Sequence, residues 1–312
     1  VMAVQTAARR LDRLPPLDFI VADEAHHAVS PSWARVLAHW PRARVLGVTA
    51  TPARLDGKGL GVAAGGAFDH LTIGATVAEL QAEGFLARSR VFVAVQLIDT
   101  SGGRRRGGDF EAGELAARAR VVTGDALIEY RARANHQPAI AYGCTVAHAE
   151  SIAAAFRAAG YRSKCVHGGA PTVERDARIQ GLATGEVEVL TSCDLISEGL
   201  DVPSVGAVLL LRPTESLALA VQQIGRGMRP AEGKEALVAL DHAGNCLRHG
   251  LPETEREWTL DGAPKRVGEV HEPGWRCDAC GLLNDLAAFE CADCGPSARS
   301  PLAGRRKRSR AR

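Results

Sequence analysis

Two adjacent carboxylates, Asp23 and Glu24, follow directly after the apolar run Phe19–Ala22. The run predicts a strand of a parallel sheet, and open α/β sheets bind their ligands at the carboxyl ends of such strands. At that position Asp23 can hold Mg²⁺ through water while Glu24 polarises an attacking water. The match from Asp23 to His26 is short, and an exposed acidic strand end is the alternative interpretation.

Two further apolar runs also end in polar residues. Val45–Val48 is followed by Thr49 and Thr51, which supply two hydroxyls before a proline turn. Val187–Thr191 is followed by a polar, glycine-containing segment that continues to Pro203. Each run therefore places polar groups where a parallel sheet binds its ligands.

Two arginines, Arg226 and Arg229, lie three residues apart within the segment Gln222–Pro230. This spacing predicts that both side chains lie on one face of a helix. Two guanidinium groups placed in this way suit a phosphate, because each offers a planar fork of donors. A solvated helix face is the alternative interpretation.

Four of the eight cysteines lie within eighteen residues and form two Cys-x-x-Cys pairs. Two such pairs, ten residues apart, fit a tetrahedral Zn²⁺ held by four thiolates. The predicted ligands are Cys277, Cys280, Cys291 and Cys294. Coincidental or redox-active pairs are the alternative.

A regular alternation of strand-like and helical segments runs from residue 138 to 241. It predicts a parallel sheet covered by helices on both faces, and hence one complete α/β domain. The first eighty-odd residues contain only two evident strands, too few for an independent sheet of this kind. Between these regions, Thr76–Glu79 predicts a capping box at a helix start, and the Gly/Arg-rich segment Ser101–Asp109 predicts an exposed loop.

The composition is that of a soluble, core-forming chain, since 46% of the 312 residues are hydrophobic and 24% are charged. The longest aliphatic stretch, Val205–Leu211, is far shorter than the ~20 residues of a membrane span. No signal peptide is visible, so we expect a cytoplasmic protein that does not bind a membrane. The last ten residues carry six basic side chains and no acid. Such a tail is typical of a disordered segment that contacts nucleic acid, and a tail that only increases solubility is an equal alternative.

The polar segments, taken in chain order, resemble motifs II, III, V and VI of superfamily 2 helicases. They read Asp-Glu-Ala-His, Thr-Ala-Thr, Thr-Ser-x₃-Ser-Glu-Gly-x-Asp-x-Pro and Gln-x₂-Gly-Arg-x₂-Arg, and the likeness covers roughly residues 1–250. The resemblance implies two RecA-like parallel-sheet domains, the first of them incomplete, with ATP and Mg²⁺ as cofactors. The segments most similar to the RadD-like branch of bacterial DNA-repair helicases are Ser192–Pro203, Leu211–Leu217 and Leu240–Asn245.

The resemblance also implies catalytic roles for four residues. Asp23 anchors Mg²⁺, and Glu24 orients or deprotonates the hydrolytic water. Arg226 and Arg229 act as arginine fingers on the γ-phosphate, and such a finger typically contributes about 10³–10⁵ in rate.

The resemblance implies that other matching residues bind the nucleotide, bind nucleic acid or couple the two binding events. Those that couple nucleotide state to nucleic-acid grip are His26, Thr49 and Thr51. Those that contact the nucleotide are Gly199, Asp201 and Gln222. Those that touch the sugar–phosphate backbone are Thr145, His167, Gly168 and Thr191. A helix cap is an equal alternative for Thr145, because a hydroxyl at a helix start needs no further role.

One motif of the resemblance has no counterpart. No Gly-x₄-Gly-Lys-Ser/Thr segment occurs in the sequence, and the nearest stretch, Gly57–Gly59, has the wrong spacing. Without that backbone cradle and its lysine, the β- and γ-phosphates lack their main binding site. We therefore expect this sequence to lack the N-terminal half of the first RecA-like domain and to be inactive by itself. A naturally shortened, inactive relative is the alternative.

The cysteine pattern extends to W-x-C-x₂-C-x₃-N-x₆-C-x₂-C when Trp275 and Asn284 are included. This pattern is similar to the RanBP2-type zinc finger, a family that binds single-stranded nucleic acid or protein partners. The alternative is that Trp275 only packs a module too small for its own core.

The sequence as a whole predicts an ATP-dependent DNA helicase or translocase that acts in DNA repair. DNA is the predicted partner, and a single-strand-binding or repair protein is a further candidate. The alternatives are a non-catalytic nucleic-acid-binding scaffold and the motor subunit of a restriction system. The predicted domains are 1–87 (part of the first RecA-like domain), 88–250 (the second), 251–272 (linker), 273–296 (zinc finger) and 297–312 (basic tail).

Overall fold

The computed structural model of the chain describes residues 1–54, 56–193, 202–262, 274–284, 288–296 and 299–300. The chain divides into two compact units. The first unit consists of Val1–Gly74, Ser216–Ala218 and Arg256–Gly268, and the second of Ala75–Glu215, Leu219–Glu255 and Glu269–Arg312. The domain boundaries given above stay predictions.

The first unit contains a two-stranded parallel sheet, as the sequence predicts. Its elements are α1 (Val4–Arg9), β1 (Phe19–Asp23), α2 (Pro31–His39) and β2 (Arg44–Val48). Alternate residues of β1 point to opposite faces, so Ile20 and Ala22 are buried while Phe19 and Val21 are more than half exposed. Leu46 and Val48 of β2 are likewise exposed, which leaves an apolar sheet face in solvent.

The second unit is built on a six-stranded, all-parallel sheet with the strand order β3-β10-β9-β6-β8-β7. Its strands are β3 (Arg88–Val93), β6 (Ala139–Tyr142), β7 (Ser163–Val166), β8 (Val189–Ser192), β9 (Ala207–Leu210) and β10 (Ala236–Asp241). The four central strands are almost wholly buried, as expected for a parallel sheet covered on both faces. The predicted α/β class with a parallel sheet is confirmed.

The helices of the second unit begin and end largely where local sequence signals place them. They are α3 (Val77–Ala82), α4 (Ala112–Ala119), α5 (Thr123–Arg133), α6 (Val146–Ala158), α7 (Thr172–Thr184), α8 (Leu217–Gly225) and α9 (Asn245–His249). Thr76 and Glu79 form the predicted capping box. Gly185 ends α7 in the left-handed conformation, at a φ of 82°.

The segment Ser101–Asp109 is largely exposed, as predicted, but part of it is a strand pair rather than a loop. The segment forms a hairpin between β4 (Arg105–Arg106) and β5 (Asp109–Phe110). The Arg105 guanidinium lies over the Phe110 ring, 5.5 Å from its centroid, and it also pairs with Glu215 at 3.1 Å. These tertiary contacts order a segment whose glycine and arginine content alone predicts a loop.

A small antiparallel sheet follows near the end of the described residues. Its strands are β11 (Trp275–Cys277), β12 (Leu283–Asn284) and β13 (Arg299–Ser300), in the order β12-β11-β13. In the described part of the chain, no helix is long and apolar enough to cross a membrane.

Three buried histidines, His26, His148 and His242, make the fold sensitive to acid. Burial lowers the pKa of each from 6.5 to about 4. Between pH 6.5 and pH 4 the unfolded chain therefore binds more protons than the folded chain, and stability falls as the pH drops through this window. Each histidine accounts for at most about 3 kcal/mol at pH 4.5. We expect calorimetry to show a clearly lower unfolding temperature at pH 4.5 than at pH 7.5.

A His242→Leu variant separates one histidine from the other acid-sensitive groups. Within the described residues, the His242 Nδ1 atom has no hydrogen-bond partner, so leucine removes the titration at little structural cost. Asp125 and Glu129 of α5 oppose the lowering of the His242 pKa. The variant should lose less stability than the wild-type chain between pH 7.5 and pH 4.5. Equal losses would contradict a buried, neutral His242.

Candidate functional site

The predicted magnesium-binding and base residues lie at the carboxyl end of β1. Asp23 is the last residue of the strand, and its Oδ1 accepts a hydrogen bond from the Glu24 N–H at 2.9 Å. Glu24 adopts the left-handed region with φ 48°, which costs a non-glycine residue about 1 kcal/mol or more. This sharp turn starts a short 3₁₀ segment, Ala25–His27, and brings His26 back under the strand end.

His26 joins the end of β1 to the end of β2. Its Nδ1 lies 3.0 Å from the Thr49 Oγ1 and 3.5 Å from the Glu24 carboxylate. Thr49 in turn accepts a hydrogen bond from the Thr51 N–H and donates one to the Thr51 carbonyl, both at 3.2 Å. Burial, with the nearby His27, lowers the His26 pKa to about 4, so the imidazole is neutral at pH 7. The structure thus brings together the three residues predicted to couple, although their role stays a prediction.

The residues predicted to contact nucleic acid lie at the carboxyl ends of three adjacent strands, β6, β8 and β7. Thr145 caps α6 by accepting the His148 N–H at 3.1 Å. Thr191 is fully buried and donates to the Ala149 carbonyl at 2.8 Å. A contact between the Thr191 hydroxyl and nucleic acid would require that hydrogen bond to break. His167 is half-buried and Gly168 is exposed.

The two predicted arginine fingers do not lie on one continuous α-helix. Helix α8 ends at Gly225, Arg226 starts a short 3₁₀ turn, and Arg229 is extended, with φ −64° and ψ 133°. The following Pro230 explains this, because a residue before proline is driven out of the helical region. Both arginines are half-buried, as is Gln222. Gly199 and Asp201 lie outside the described residues.

Gly227, between the two arginines, is buried against Leu237 of β10. A Cβ at Gly227 would come within 2.4 Å of a Leu237 methyl carbon, so the close approach requires glycine. In the last turn of α8, the Tyr142 hydroxyl donates to the Gln223 carbonyl at 3.2 Å. The arginine turn is therefore packed closely against the sheet.

A polar network after β9 and β10 was not assigned a role from the sequence. Asp241 is fully buried, and its carboxylate accepts the N–H groups of Ala243, Asn245 and Cys246. Burial raises the Asp241 pKa, and these three donors oppose that effect. The Asn245 side chain then binds the backbone of Arg212 and Thr214. The resemblance of these two segments to the RadD-like branch is the signal that could have identified the network.

The four predicted zinc ligands converge on one point. Their sulfur atoms all lie within 4.8 Å of one another, and the Sγ–Sγ distances are 3.5 Å for Cys277–Cys294 and for Cys280–Cys291. A tetrahedron with Zn–S bonds of about 2.3 Å requires sulfur atoms roughly 3.8 Å apart. The cysteines therefore fit a structural zinc ion, which would hold the two Cys-x-x-Cys pairs together.

The other two residues of the finger pattern have internal partners. Trp275 is only 5% exposed, and its indole Nε1 donates to the Ala288 carbonyl at 2.9 Å. Asn284 is also buried, donating to the Leu282 carbonyl and accepting the Ala292 N–H. Both side chains therefore pack and brace the module in this structure.

The cysteine module lies against β3, an edge strand of the six-stranded sheet. The Val93 N–H donates to the Gly281 carbonyl at 3.0 Å, and the Arg276 Nε donates to the Val93 carbonyl at 2.8 Å. Arg90 of β3 also forms an ion pair with Asp293. Trp275 and Leu282 belong to the same apolar core as the sheet. The module thus covers backbone groups that an open sheet edge would expose.

Comparison with known proteins gives two family matches at the positions of the motifs. Residues 123–231 match the helicase conserved C-terminal domain, and residues 2–54 match the res subunit of type III restriction enzymes. Both matched regions are therefore similar to those of superfamily 2 helicases. The matched regions contain, respectively, the arginine turn and the Asp23–Thr51 network.

Two similar proteins align with most of this chain. A 51.5 kDa protein of a Lactococcus phage is 33% identical over 97% of the chain and 63% of its own length. The Saccharomyces cerevisiae protein named "Putative ATP-dependent helicase IRC3" is 28% identical over 78% of the chain and 37% of its own length. The chain therefore spans less than two thirds of these relatives.

A solved structure shows the same fold. It is described as a fragment of "a putative HsdR subunit of a type I restriction enzyme" from Vibrio vulnificus. It aligns with a TM-score of 0.59 at 22% identity, covering 80% of this chain and 47% of the other. The α/β fold with parallel sheets is thus shared with a known structure.

Proposed function

We propose that the protein is an ATP-dependent DNA translocase or helicase of the RadD-like branch, acting in DNA repair. The observation that carries the proposal is the position of the His26 Nδ1 atom, which lies 3.0 Å from the Thr49 Oγ1 and 3.5 Å from the Glu24 carboxylate. This position links the carboxylate suited to activating water to the end of the neighbouring strand. A motor needs such a connection to couple the state of its bound nucleotide to the strength of nucleic-acid binding.

Each residue then has a defined task in hydrolysis. ATP would supply the phosphoanhydride bond, and Mg²⁺ would neutralise its charge. The Asp23 carboxylate would hold the metal through water, and the Glu24 carboxylate would accept a proton from the attacking water. Arg226 and Arg229 would offset the negative charge that develops on the transferred phosphoryl group. Neutral His26 would fix the position of Glu24 relative to Thr49 without adding a charge.

The P-loop would be supplied by further residues of the first RecA-like domain. The exposed apolar face of β1 and β2 supports this proposal, since a RecA-like sheet buries both of its faces. The cysteine module would be a RanBP2-type finger that binds zinc through its four cysteines. DNA would be held by the second unit, with a salt-dependent contribution from basic residues.

The ATPase activity of an N-terminally extended protein tests the proposed function. The gene would be expressed with the codons that precede Val1, and phosphate release would be measured with and without single- and double-stranded DNA. We expect DNA-stimulated hydrolysis by the extended protein and none by the 312-residue chain, which has no P-loop sequence. Turnover by the 312-residue chain would contradict the proposal, as would DNA binding without any hydrolysis by the extended protein.

A second candidate function is the motor of a restriction system, favoured by the match of residues 2–54 to a res subunit. In that case the motor would require a nuclease and a methyltransferase. DNA cleavage by the extended protein together with such partner subunits, dependent on ATP and on unmethylated sites, would support this candidate over repair.

A further inference from the structure

Lys234 lies in the turn between the arginine segment and β10, and all three of its ammonium donors are used. Its Nζ lies 2.5 Å from the Gly227 carbonyl, 2.8 Å from the Arg229 carbonyl and 3.2 Å from the Pro203 carbonyl. Gly233 adopts a φ of 74°, which allows the chain to turn back and direct the lysine inward. No motif predicted from the sequence includes Lys234.

The three acceptors belong to two functionally assigned segments. The Gly227 and Arg229 carbonyls belong to the turn that carries both proposed arginine fingers. Carbonyls at the end of a helical turn have no partner within the helix, so a cation there satisfies them and the helix dipole together. Pro203, the third acceptor, follows Asp201 by two residues in the sequence. A single ammonium group therefore ties the ends of both segments.

We propose that Lys234 is a positioning residue that fixes the position of the arginine turn relative to the segment ending at Pro203. The inference rests on the proposed ATPase function, because only then do Arg226 and Arg229 need a fixed position relative to a nucleotide. Burial lowers the Lys234 pKa to about 8, in agreement with an ammonium taken out of water by these carbonyls. In this role Lys234 contacts neither the nucleotide nor the attacking water, and it acts through the arginines.

Hydrogen exchange on the 312-residue chain tests the contact without any need for ATPase activity. Lys234→Met keeps the aliphatic stem and removes the donors. We expect exchange to rise about tenfold or more in peptides covering residues 225–230, with β9 unchanged. The matched control is Lys164→Met, which removes an exposed lysine from β7 of the same unit. Unchanged exchange in residues 225–230 would overturn the proposal.

Kinetics of the extended protein test the positioning role itself. We expect Lys234→Met to lower kcat roughly 100-fold, since small misplacements of catalytic groups have effects of this size. The KM for ATP should change far less. Combined with Arg226→Ala, Lys234→Met should cause little further loss, because both changes remove the same contribution.

The failure of each hypothesis has its own signature. A lysine that only stabilises the fold would lower the unfolding temperature, leave kcat per folded molecule unchanged and add fully to Arg226→Ala, and this result would overturn the proposal. If the wild-type extended protein hydrolyses no ATP, the proposed function fails, and with it the positioning role. Increased exchange in Lys234→Met would then still establish the contact.

Discussion

Replacing Arg226 by alanine in the extended protein is expected to lower DNA-stimulated ATP hydrolysis about 10³–10⁵-fold. The guanidinium would meet negative charge that develops only in the transition state, so the loss should fall on kcat and leave the KM for ATP nearly unchanged. The turn that carries Arg226 is packed through Gly227 against Leu237, and its Gly227 and Arg229 carbonyls accept hydrogen bonds from Lys234.

The chemical requirement at this position can be separated from charge alone. Arg226→Lys keeps a positive charge but lacks the planar fork of donors, so we expect it to remain strongly impaired. Arg157→Ala is the matched control, because Arg157 lies on α6 and donates to the Ser163 carbonyl, away from the arginine turn. Steady-state phosphate release with saturating DNA measures all three variants. An Arg226→Ala enzyme within about tenfold of wild type would exclude an arginine-finger role.

Loss of the metal from the cysteine module is expected to destabilise the second unit, beyond the module itself. Structural zinc contributes directly to folding free energy, often by about 10 kcal/mol in isolated fingers. Here Trp275, Cys277 and Leu282 share their apolar core with the six-stranded sheet, and Gly281 covers the Val93 N–H of β3. Cys277→Ser, or removal of zinc with a chelator, should therefore lower the unfolding temperature of the whole unit by roughly 10 °C or more.

Calorimetry with parallel measurement of bound zinc tests this expectation. Wild-type protein should contain one zinc ion per chain, and Cys277→Ser should contain far less. Cys165→Ser is the matched control, since Cys165 is a buried cysteine of the same unit that lies outside the metal cluster. If zinc is lost while the sheet unfolds at its original temperature, the module is an independent appendage.

Features set by a few neighbouring residues could be predicted from the sequence. The capping box at Thr76 and the helix end at Gly185 follow from short-range signals. The strands that end at Asp23, Val48 and Asp241 follow from apolar runs bounded by polar residues. The cysteine spacing likewise predicted a four-sulfur cluster, because each knuckle brings its two sulfurs together locally.

Contacts between distant segments were decided by the tertiary structure. The meeting of His26 with Thr49 depends on the parallel pairing of β1 with β2, and the hairpin at Arg105 depends on partners over a hundred residues away. Likewise, nothing in the finger pattern predicts its position on β3. Lys234 shows most clearly what the sequence alone does not predict, because its proposed role rests on three backbone carbonyls. Every residue has a backbone carbonyl, so the residue types do not indicate which ones accept a hydrogen bond from the lysine. Sequence thus determined which groups are available for chemistry, and the folded chain determined which of them meet.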